Sequence, residues 1–377
     1  MKVMVISTSF PGSGFHSGQE AAGSFVHDFV QELALRADVH VVAPGKDDCI
    51  NRENGFSVKY FTVPRLPLSL LKPGNPGHWT SIAKTFRNGH LTVETEIESF
   101  KPDHVLSLWA LPSGLWAQNP CRKHGIPYSV WALGSDIWSL GKIPIVSSVL
   151  RVVLRRAMHC FADGHNLAED VKRLSGRSCT FLPSCRKLPL NGVKNLSTAP
   201  PYRMAFLGRW HSNKGIDILL KSLDLLTDDD WTKIAEVRIH GGGPMEQTVH
   251  EEGASLMRKN RPVRIGGYLN LEEATALYQW ADYILIPSRI ESIPVVFSDS
   301  MQSMCPVIAM PVGDLPRLIN EMPSGFLAGK ISIDSYSNAI RASLLSSPIV
   351  FSSGLSSYSS TFSIDYSVDK LIKEIIE

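Results

Sequence analysis

Short apolar runs rich in β-branched residues alternate with amphipathic stretches of ten or more residues along most of the chain. This alternation predicts strands that are each followed by a helix, an order typical of parallel sheets with helices on both faces. The predicted strands are Val3–Ser7, Val39–Ala43, Val58–Val63, Val105–Leu108, Tyr128–Ala132, His159–Ala162, Met204–Leu207, Val237–His240, Val263–Ile265, Tyr283–Ile286 and Val307–Ala309. The predicted helices include Ser24–Arg36, Ser113–His124, Val146–Met158, Ile216–Leu226, Leu271–Trp280 and Val295–Met301.

The alternation stops between residues 183 and 202, where Pro, Ser and Asn are frequent and no periodicity is present. A chain of 377 residues also exceeds the ~250–300 residues at which single cores stop growing, so two domains are expected. The interruption places them at residues 1–190 and 203–350. We therefore predict an α/β protein with two Rossmann-like, doubly wound parallel-sheet domains that face a central cleft.

The end of the chain is expected to hold one more helix, over residues 363–377, that packs back on the N-terminal domain. Its apolar positions are Val368, Leu371, Ile372 and Ile375, and Asp365 is the expected cap. The Ser-rich stretch at 343–363 is interpreted as a surface connection.

The composition excludes several classes of protein. Hydrophobic residues make up 44% and charged residues 20%, as in ordinary globular proteins, and the net charge of +2 gives no indication of nucleic-acid binding. No stretch reaches the ~18 apolar residues of a spanning helix, so the protein is expected to be soluble or attached to a membrane face. The six cysteines show no C-x-x-C spacing, which disfavours a zinc site and fits a reducing, cytoplasmic compartment.

Charge is distributed unevenly along the chain. Residues 1–190 hold 21 Lys and Arg against 15 Asp and Glu, whereas residues 191–377 hold 17 against 21. A basic first half favours an anionic acceptor or peripheral contact with an anionic membrane, although ordinary scatter of surface charge explains it equally well. The apolar stretch 147–159, with Arg151, Arg155 and Arg156, is typical of a membrane-surface helix or, more commonly, of a core helix with a basic edge.

The segment from Tyr283 to Met301 carries the strongest chemical signal. A buried strand ends in a loop, and Glu291 then precedes a helix that has Pro294 near its first position, where the missing N–H of proline costs nothing. A helix start at the carboxyl end of a parallel strand is an anion site suited to a pyrophosphate, with the amides of Ile293, Val295 and Val296 nearby. Glu291 and Asp299 are eight positions apart and share a helix face, so both carboxylates can accept hydrogen bonds from sugar hydroxyls. A capped surface helix with solvated acids explains this segment equally well.

A second signal lies between Phe206 and Leu223. A strand ends at Leu207, Gly208 opens the turn, and Arg209 and Lys214 lie in the loop before a helix. Two cations at such a junction suit a diphosphate leaving group. An ordinary solvated loop is the alternative.

These motifs follow one another in a recognisable order. GR-x(4)-KG-x-D-x-L-L is followed by Gly241-Gly242-Gly243-Pro244, by Ile265-Gly266-Gly267-Tyr268, and by E-x-x-P-x(4)-D. This series resembles the C-terminal domain of family 4 glycosyltransferases, which have the GT-B fold and a retaining mechanism. The first half resembles the family more loosely, through a Gly-rich loop that leads into Gly23-Ser24-Phe25-Val26 and through Gly134-Ser135-Asp136.

The resemblance implies a role for each matching residue. Arg209 and Lys214 would bind the donor diphosphate, Glu291 would contact the transferred sugar, and Asp299 would bind the ribose diol. Residues 266–269 would border the nucleobase, and Gly23 would let the N-terminal loop approach the donor. The remaining candidates for donor binding are Gly208, Tyr268, Leu269, Ser292, Ile293 and Val295.

Two positions depart from the family pattern. The second acid is Asp299 where the family usually has Glu, and Leu133 stands where many members have a His that contacts the donor sugar. Asp136 therefore either caps the next segment, which is the favoured interpretation, or contacts the sugar or acceptor.

The sequence thus predicts a retaining glycosyltransferase that moves a sugar from a nucleoside diphosphate sugar to a glycan, lipid-linked or small-molecule acceptor, as in polysaccharide assembly. No metal or other cofactor is expected, because cations and amides can neutralise the diphosphate. The alternatives are a nucleotide-sugar epimerase of the same fold and a non-catalytic nucleotide-sugar-binding subunit. A dinucleotide-dependent oxidoreductase is disfavoured, because Gly12 and Gly14 are followed by Ser17 where G-x-G-x-x-G needs Gly.

Overall fold

The computed structural model describes residues 1–11, 23–53, 55–192 and 194–376. It divides into two compact units. The first holds Met1–Ser184 together with the chain from Ser367 onward, and the second holds Cys185–Tyr366. Among the described helices, none combines the length and the apolar character that crossing a bilayer requires.

The first unit is a sheet flanked by helices. Its strands are β1 (Lys2–Ile6), β2 (Asp38–Gly45), β3 (Cys49–Glu53), β4 (Phe56–Thr62), β5 (His104–Leu108), β6 (Tyr128–Ala132), β7 (Cys160–Ala162) and β8 (Thr180–Phe181). They lie in the order β3-β4-β2-β1-β5-β6-β7-β8, and every pairing is parallel except the edge pair of β3 with β4. Its helices are α1 (Ser24–Leu33), α2 (Trp79–Phe100), α3 (Leu115–His124), α4 (Ser135–Trp138), α5 (Pro144–Arg156) and α6 (His165–Ser175).

The second unit has the strand order of a Rossmann domain. Its strands are β9 (Tyr202–Arg209), β10 (Ile234–Gly242), β11 (Val263–Gly266), β12 (Tyr283–Ile286), β13 (Val307–Ala309) and β14 (Gly325–Leu327). They are all parallel in the order β11-β10-β9-β12-β13-β14, so the first strand along the chain lies beside the fourth. The connecting helices are α7 (Ile216–Asp224), α8 (Asp228–Thr232), α9 (Glu246–Arg258), α10 (Leu271–Trp280), α11 (Val295–Gln302), α12 (Leu315–Glu321), α13 (Ile333–Leu344) and α14 (Ser352–Thr361).

The structure confirms the predicted fold class of two parallel-sheet α/β units. The predicted strands Tyr283–Ile286 and Val307–Ala309 and the predicted helix Leu271–Trp280 match the observed elements end to end. Their apolar patterns are uninterrupted, so local sequence and burial agree about where each element begins and ends.

The interpretation of the Ser-rich stretch as a surface connection is wrong. Residues 352–361 form α14, in which Leu355 and Tyr358 are buried and the Tyr358 ring packs edge-on against Phe297, with centroids 6.2 Å apart. Serine hydroxyls on its outer face bond back to carbonyls one turn earlier, as Ser357 Oγ does to Ser353 O at 3.0 Å. Packing of a few large side chains therefore overrides the weak helix preference of serine.

The last helix, α15 (Ile364–Ile376), also begins differently from the prediction. Asp365 lies inside its first turn. The amide of Tyr366 instead donates to the Ser363 Oγ atom at 3.2 Å, so the hydroxyl of Ser363 is the capping acceptor.

Candidate active site

Two loops at the carboxyl ends of β9 and β12 hold four of the predicted site residues, which are Lys214, Glu291, Ser292 and Ile293. The strands are parallel neighbours, with Met204 opposite Tyr283 and Ala205 opposite Ile284. In the 3-2-1-4-5-6 strand order, helices cross to opposite faces of the sheet at this position, and the crevice that results is where such folds bind ligands. The topology thus places the loop after Arg209 and the loop before α11 at the ligand-binding edge of the sheet.

Lys214 and Glu291, which are 77 positions apart in the chain, are brought into direct contact. The Lys214 Nζ atom donates to Glu291 Oε1. The hydroxyl of Ser288 donates to the same oxygen at 3.0 Å. Both side chains are only partly exposed. Their contact places a cation and a carboxylate next to each other at the carboxyl end of the sheet.

The two loops are in close backbone contact around this pair. Gly215 has φ +68°, and a Cβ atom there would lie 1.9 Å from the carbonyl oxygen of Pro287. On the other side, a Cβ at Gly313, which has φ +54°, would lie 2.4 Å from the Glu291 carbonyl oxygen. Only glycine fits at either position, and the backbone next to Glu291 is therefore held from two directions.

The start of α11 supplies backbone donors beside Glu291. Pro294 is its N-cap, and the amide of Phe297 donates to the Pro294 carbonyl at 2.8 Å. The amides of Val295 and Val296 are in the first turn, where a helix offers no internal acceptor. Ile293 and Ser292 are buried just before this turn, and in the described parts of the chain the Ser292 hydroxyl has no hydrogen-bond partner.

The residues predicted to bind the rest of the donor line the same sheet edge. Arg209 is exposed at the end of β9, and Gly208 pairs in register with Gly241 on β10. Tyr268 follows β11, is half exposed, and donates from its hydroxyl to the Gly242 carbonyl at 2.9 Å. Leu269 beside it is partly exposed. A flat aromatic ring anchored at its hydroxyl end leaves a face to which a base can stack.

Asp299 lies deeper than the other candidates. Its side chain is 0% exposed, and its Oδ2 atom accepts hydrogen bonds from the Tyr278 hydroxyl at 3.1 Å and from Arg186 Nε at 3.0 Å. Burial, reinforced by the charge of Asp299, raises the pKa of Tyr278, which keeps the phenol protonated as a donor. Arg186 is 17% exposed, so of this pair only the guanidinium side chain has surface in contact with solvent.

Two cations that the sequence motifs do not single out thus belong to this region, Arg186 and Arg289. Arg289 lies two residues before Glu291 and forms a two-point ion pair with Asp217, at 2.8 Å and 2.6 Å. The sequence points to Arg289 only indirectly, through the Asp of the KG-x-D pattern. This residue, Asp217, is a carboxylate close to Lys214 and needs a cationic partner of its own. Arg186 has no such signal, since it lies in the aperiodic segment.

The remaining candidates lie in the first unit. Asp136 is buried, its carboxylate accepts from the amides of Ala110 at 2.6 Å and Leu133 at 3.3 Å, and burial raises its pKa to about 6. Gly23 is the N-cap residue of α1, and a Cβ atom there would lie 2.9 Å from Ser9 Oγ. The Gly12, Gly14 and Ser17 pattern lies outside the described residues.

Comparisons with known proteins concern the sequence of the second unit and the fold of the chain. Residues 201–346 match the model of the family described as glycosyl transferases group 1. A D-inositol 3-phosphate glycosyltransferase of Corynebacterium aurimucosum is 29% identical over 154 residues, which is 40% of this chain and 37% of that protein. The chain therefore aligns with little more than a third of that relative's length.

Solved structures share the fold over nearly the whole chain. Sucrose-phosphate synthase from Thermosynechococcus elongatus has a TM-score of 0.73 at 15% identity, and the likeness covers 99% of this chain and 97% of that one. Anabaena HepE, solved in complex with UDP, has a TM-score of 0.68 at 15% identity, covering 99% of each chain. At this identity the likeness concerns the fold alone.

Two Rossmann-like units, with a Lys–Glu pair at the strand-order reversal of the second, define a protein of the GT-B architecture. The family match over residues 201–346 adds that most of the second unit is similar in sequence to group 1 glycosyl transferases.

Proposed function

We propose that the protein is a retaining glycosyltransferase that transfers a hexose-type unit from a nucleoside diphosphate sugar. The observation that carries the proposal is the contact of Lys214 with Glu291 at the carboxyl ends of β9 and β12. A cation there can neutralise a departing diphosphate, and a carboxylate beside it can hold the sugar whose bond is breaking. The names of the relatives are those of transferases, which favours transfer over epimerisation or simple binding.

Departure of the leaving group is assigned to two kinds of donor, cationic side chains and backbone amides. Arg209 and Lys214 supply charge, and the amides of Ile293, Val295 and Val296 supply hydrogen bonds from a helix start. These groups stabilise the diphosphate as negative charge develops on it and the sugar becomes oxocarbenium-like. The scheme uses no metal ion or other cofactor.

The nucleoside end of the donor is assigned to residues around Tyr268 and Asp299. Tyr268 and Leu269 would border the base. Gly208, near the end of β9, would also contact the donor. Asp299 would accept from the ribose diol, and since its carboxylate is already hydrogen-bonded to Arg186, this contact includes movement of the guanidinium. UDP in the HepE structure supports a nucleoside diphosphate as the ligand class.

The acceptor side is assigned to the first unit, where Asp136 lies. The proposed acceptors are a glycan, a lipid-linked glycan or a small molecule, with polysaccharide assembly as the setting. A nucleic-acid acceptor is not proposed, because the net charge is only +2. Asp136 caps two backbone amides, so its proposed contribution is to hold the loop that carries Leu133.

Helix α5 is proposed as a peripheral contact with an anionic membrane. Its outer face exposes Ile145, at 80%, and Val152, with Arg151, Arg155 and Arg156 exposed beside them. The segment from Ile137 to Ala162 contains no Asp or Glu. Apolar side chains flanked by cations fit the headgroup region of an anionic bilayer.

Vesicle sedimentation tests this contact. The protein should sediment with vesicles that contain phosphatidylglycerol and not with pure phosphatidylcholine, and changing Arg151, Arg155 and Arg156 to Gln should abolish this. Equal sedimentation of the triple variant would contradict the proposal. A cytoplasmic location is proposed with it, because all six cysteines are free thiols in the described structure.

A thermal-shift screen tests the proposed activity. A ligand that binds only the folded protein raises the melting temperature, by an amount that grows with its concentration relative to Kd. Nucleoside diphosphates and their sugars should raise it, and proton NMR of the product should show the donor's anomeric configuration. A screen with no shift and no transfer would overturn the function. Binding without turnover would leave the binding-subunit alternative, and a changed donor sugar would indicate an epimerase.

A further inference from the structure

Arg289 lies in the loop of Glu291 and is hydrogen-bonded to the chain around Lys214. Its Nη1 atom donates to Ser212 O at 2.6 Å and to Asp217 Oδ1 at 2.8 Å, and its Nη2 atom donates to Asp217 Oδ2 at 2.6 Å. Its own amide donates to Asn213 O at 2.8 Å. One residue of the Glu291 loop therefore makes four hydrogen bonds to the chain on either side of Lys214.

These bonds leave Arg289 poorly placed to touch a ligand itself. Both terminal nitrogens are engaged with protein acceptors, and the planar fork is matched to a carboxylate at two points. The paired side chains are also only 34% and 22% exposed. The hydrogen bond from Arg289 lowers the pKa of Asp217, so the pair stays ionised throughout the neutral range.

The pair adds to the backbone contact that already joins the loops. At Gly215 the Lys214 loop has no room for a side chain against Pro287, so the loops touch there without any side-chain bond. Arg289 adds directional bonds on both sides of Lys214, to Ser212 and Asn213 before it and to Asp217 after it. Bonds on both sides of one lysine fix the place of its ammonium group relative to Glu291.

We propose that Arg289 and Asp217 are positioning residues that hold Lys214 against Glu291 for the transfer step. The inference rests on the proposed function, because Lys214 and Glu291 matter only if a nucleotide sugar binds there. In the reaction, Arg289 touches neither sugar nor diphosphate. Its effect is transmitted through the Lys214 loop.

Arg289→Gln tests the proposal, with Asp217→Asn as a second variant. The donor is the nucleotide sugar that gives the largest thermal shift. A small displacement of a charged group can cost roughly 100-fold, so kcat should fall by roughly 10- to 100-fold. KM should change much less, because the donor still binds. Arg289→Lys should recover part of kcat, and the double variant should be no slower than either single variant.

Arg341→Gln is the matched control. Arg341 forms an ion pair with Asp230 at 3.1 Å in the same unit, and their side chains are 35% and 14% exposed. It also donates to the Leu225 carbonyl. Loss of this pair should lower stability about as much as loss of the Arg289 pair while leaving kcat unchanged.

Hydrogen exchange measured by mass spectrometry separates this proposal from the proposed function. Amides in residues 209–216 and 287–295 should exchange faster in Arg289→Gln than in the parent or in Arg341→Gln, with or without a donor. Unchanged exchange and an unchanged kcat would overturn the positioning role even if the parent is an active transferase. A parent that binds no nucleotide but shows the exchange effect would overturn the function and keep the link between the loops.

Discussion

The Nε atom of Arg186 donates a 3.0 Å hydrogen bond to Oδ2 of Asp299, a carboxylate with no exposed surface. The Tyr278 hydroxyl donates to the same oxygen. Breaking a buried ion pair leaves a charge without compensation, which is costly. Asp299 therefore stabilises the fold whether or not it also binds the ribose of a donor.

Asp299→Asn should affect both the stability of the fold and the binding of the donor's ribose. The free energy of unfolding should fall by about 3 kcal/mol in urea titrations, because the buried carboxylate that pairs with Arg186 is lost. For binding, the parent should prefer UDP over 2′-deoxy-UDP, since a hydroxyl accepted by a carboxylate is worth roughly 1–3 kcal/mol. The Asn variant should lose that preference. The same preference in both proteins would restrict Asp299 to a structural role.

Arg209→Ala should weaken nucleotide binding without affecting stability. Arg209 is exposed, so the change in unfolding free energy should stay within about 0.5 kcal/mol. Loss of a charge-assisted contact should raise the calorimetric Kd for UDP by roughly 10- to 100-fold. Arg258→Ala, an exposed arginine at the end of α9, is the control and should bind as the parent does. Equal affinities for all three proteins would remove Arg209 from the site.

Sugar transfer should persist in EDTA. The proposed leaving-group contacts are cations and amides, so no divalent ion has to neutralise the diphosphate. Three side chains in the first unit, Glu94, Glu98 and His124, do lie within ligand distance of one another, but Lys123 bonds to Glu94 at 2.6 Å and supplies a cation there. Loss of turnover in EDTA with recovery on addition of Mg²⁺ or Mn²⁺ would contradict the charge scheme.

His104 should make the first unit sensitive to acid. Burial lowers its pKa to about 4 from 6.5, and its Nε2 atom lies 2.9 Å from Ser129 Oγ. Because the pKa in the folded state is the lower one, this stabilisation is complete above pH 6.5 and is lost as the pH falls through about 4. The loss should approach about 3 kcal/mol in urea titrations between pH 7 and pH 4. The free energy of unfolding of His104→Gln should fall by less between pH 7 and pH 4. A fall equal to that of the parent would show that His104 is not the cause of the acid sensitivity.

Much of the fold could be predicted because its signals are local. The strand at Tyr283–Ile286 and the helix at Leu271–Trp280 each carry their own hydrophobic pattern and boundary residues. The edge strand β3 was missed, because Cys49–Glu53 is mostly polar and exposed and is defined by its pairing with β4. Helix α14 was missed for the related reason that tertiary packing decides a Ser-rich segment.

The candidate site could be predicted only in part. Glu291, Arg209 and Lys214 stand in recognisable motifs, and the structure brings Glu291 and Lys214 together. Neither the partner of Asp299 nor that of Asp217 has a pattern in the sequence, because each pair joins segments more than 70 positions apart. Such pairs form only when the chain folds, and the local periodicity of the sequence does not predict them.

Glu291→Gln tests the central claim most directly. The substitution keeps the size of the side chain and removes its charge, which also releases Lys214 to bind phosphate. Release of nucleoside diphosphate from the donor should fall by roughly 100-fold in kcat, while the Kd for UDP stays the same or decreases. Glu321→Gln, on the exposed surface of α12, should behave as the parent. A Glu291→Gln protein with the parent's kcat would contradict the assignment of the reaction to this pair of loops.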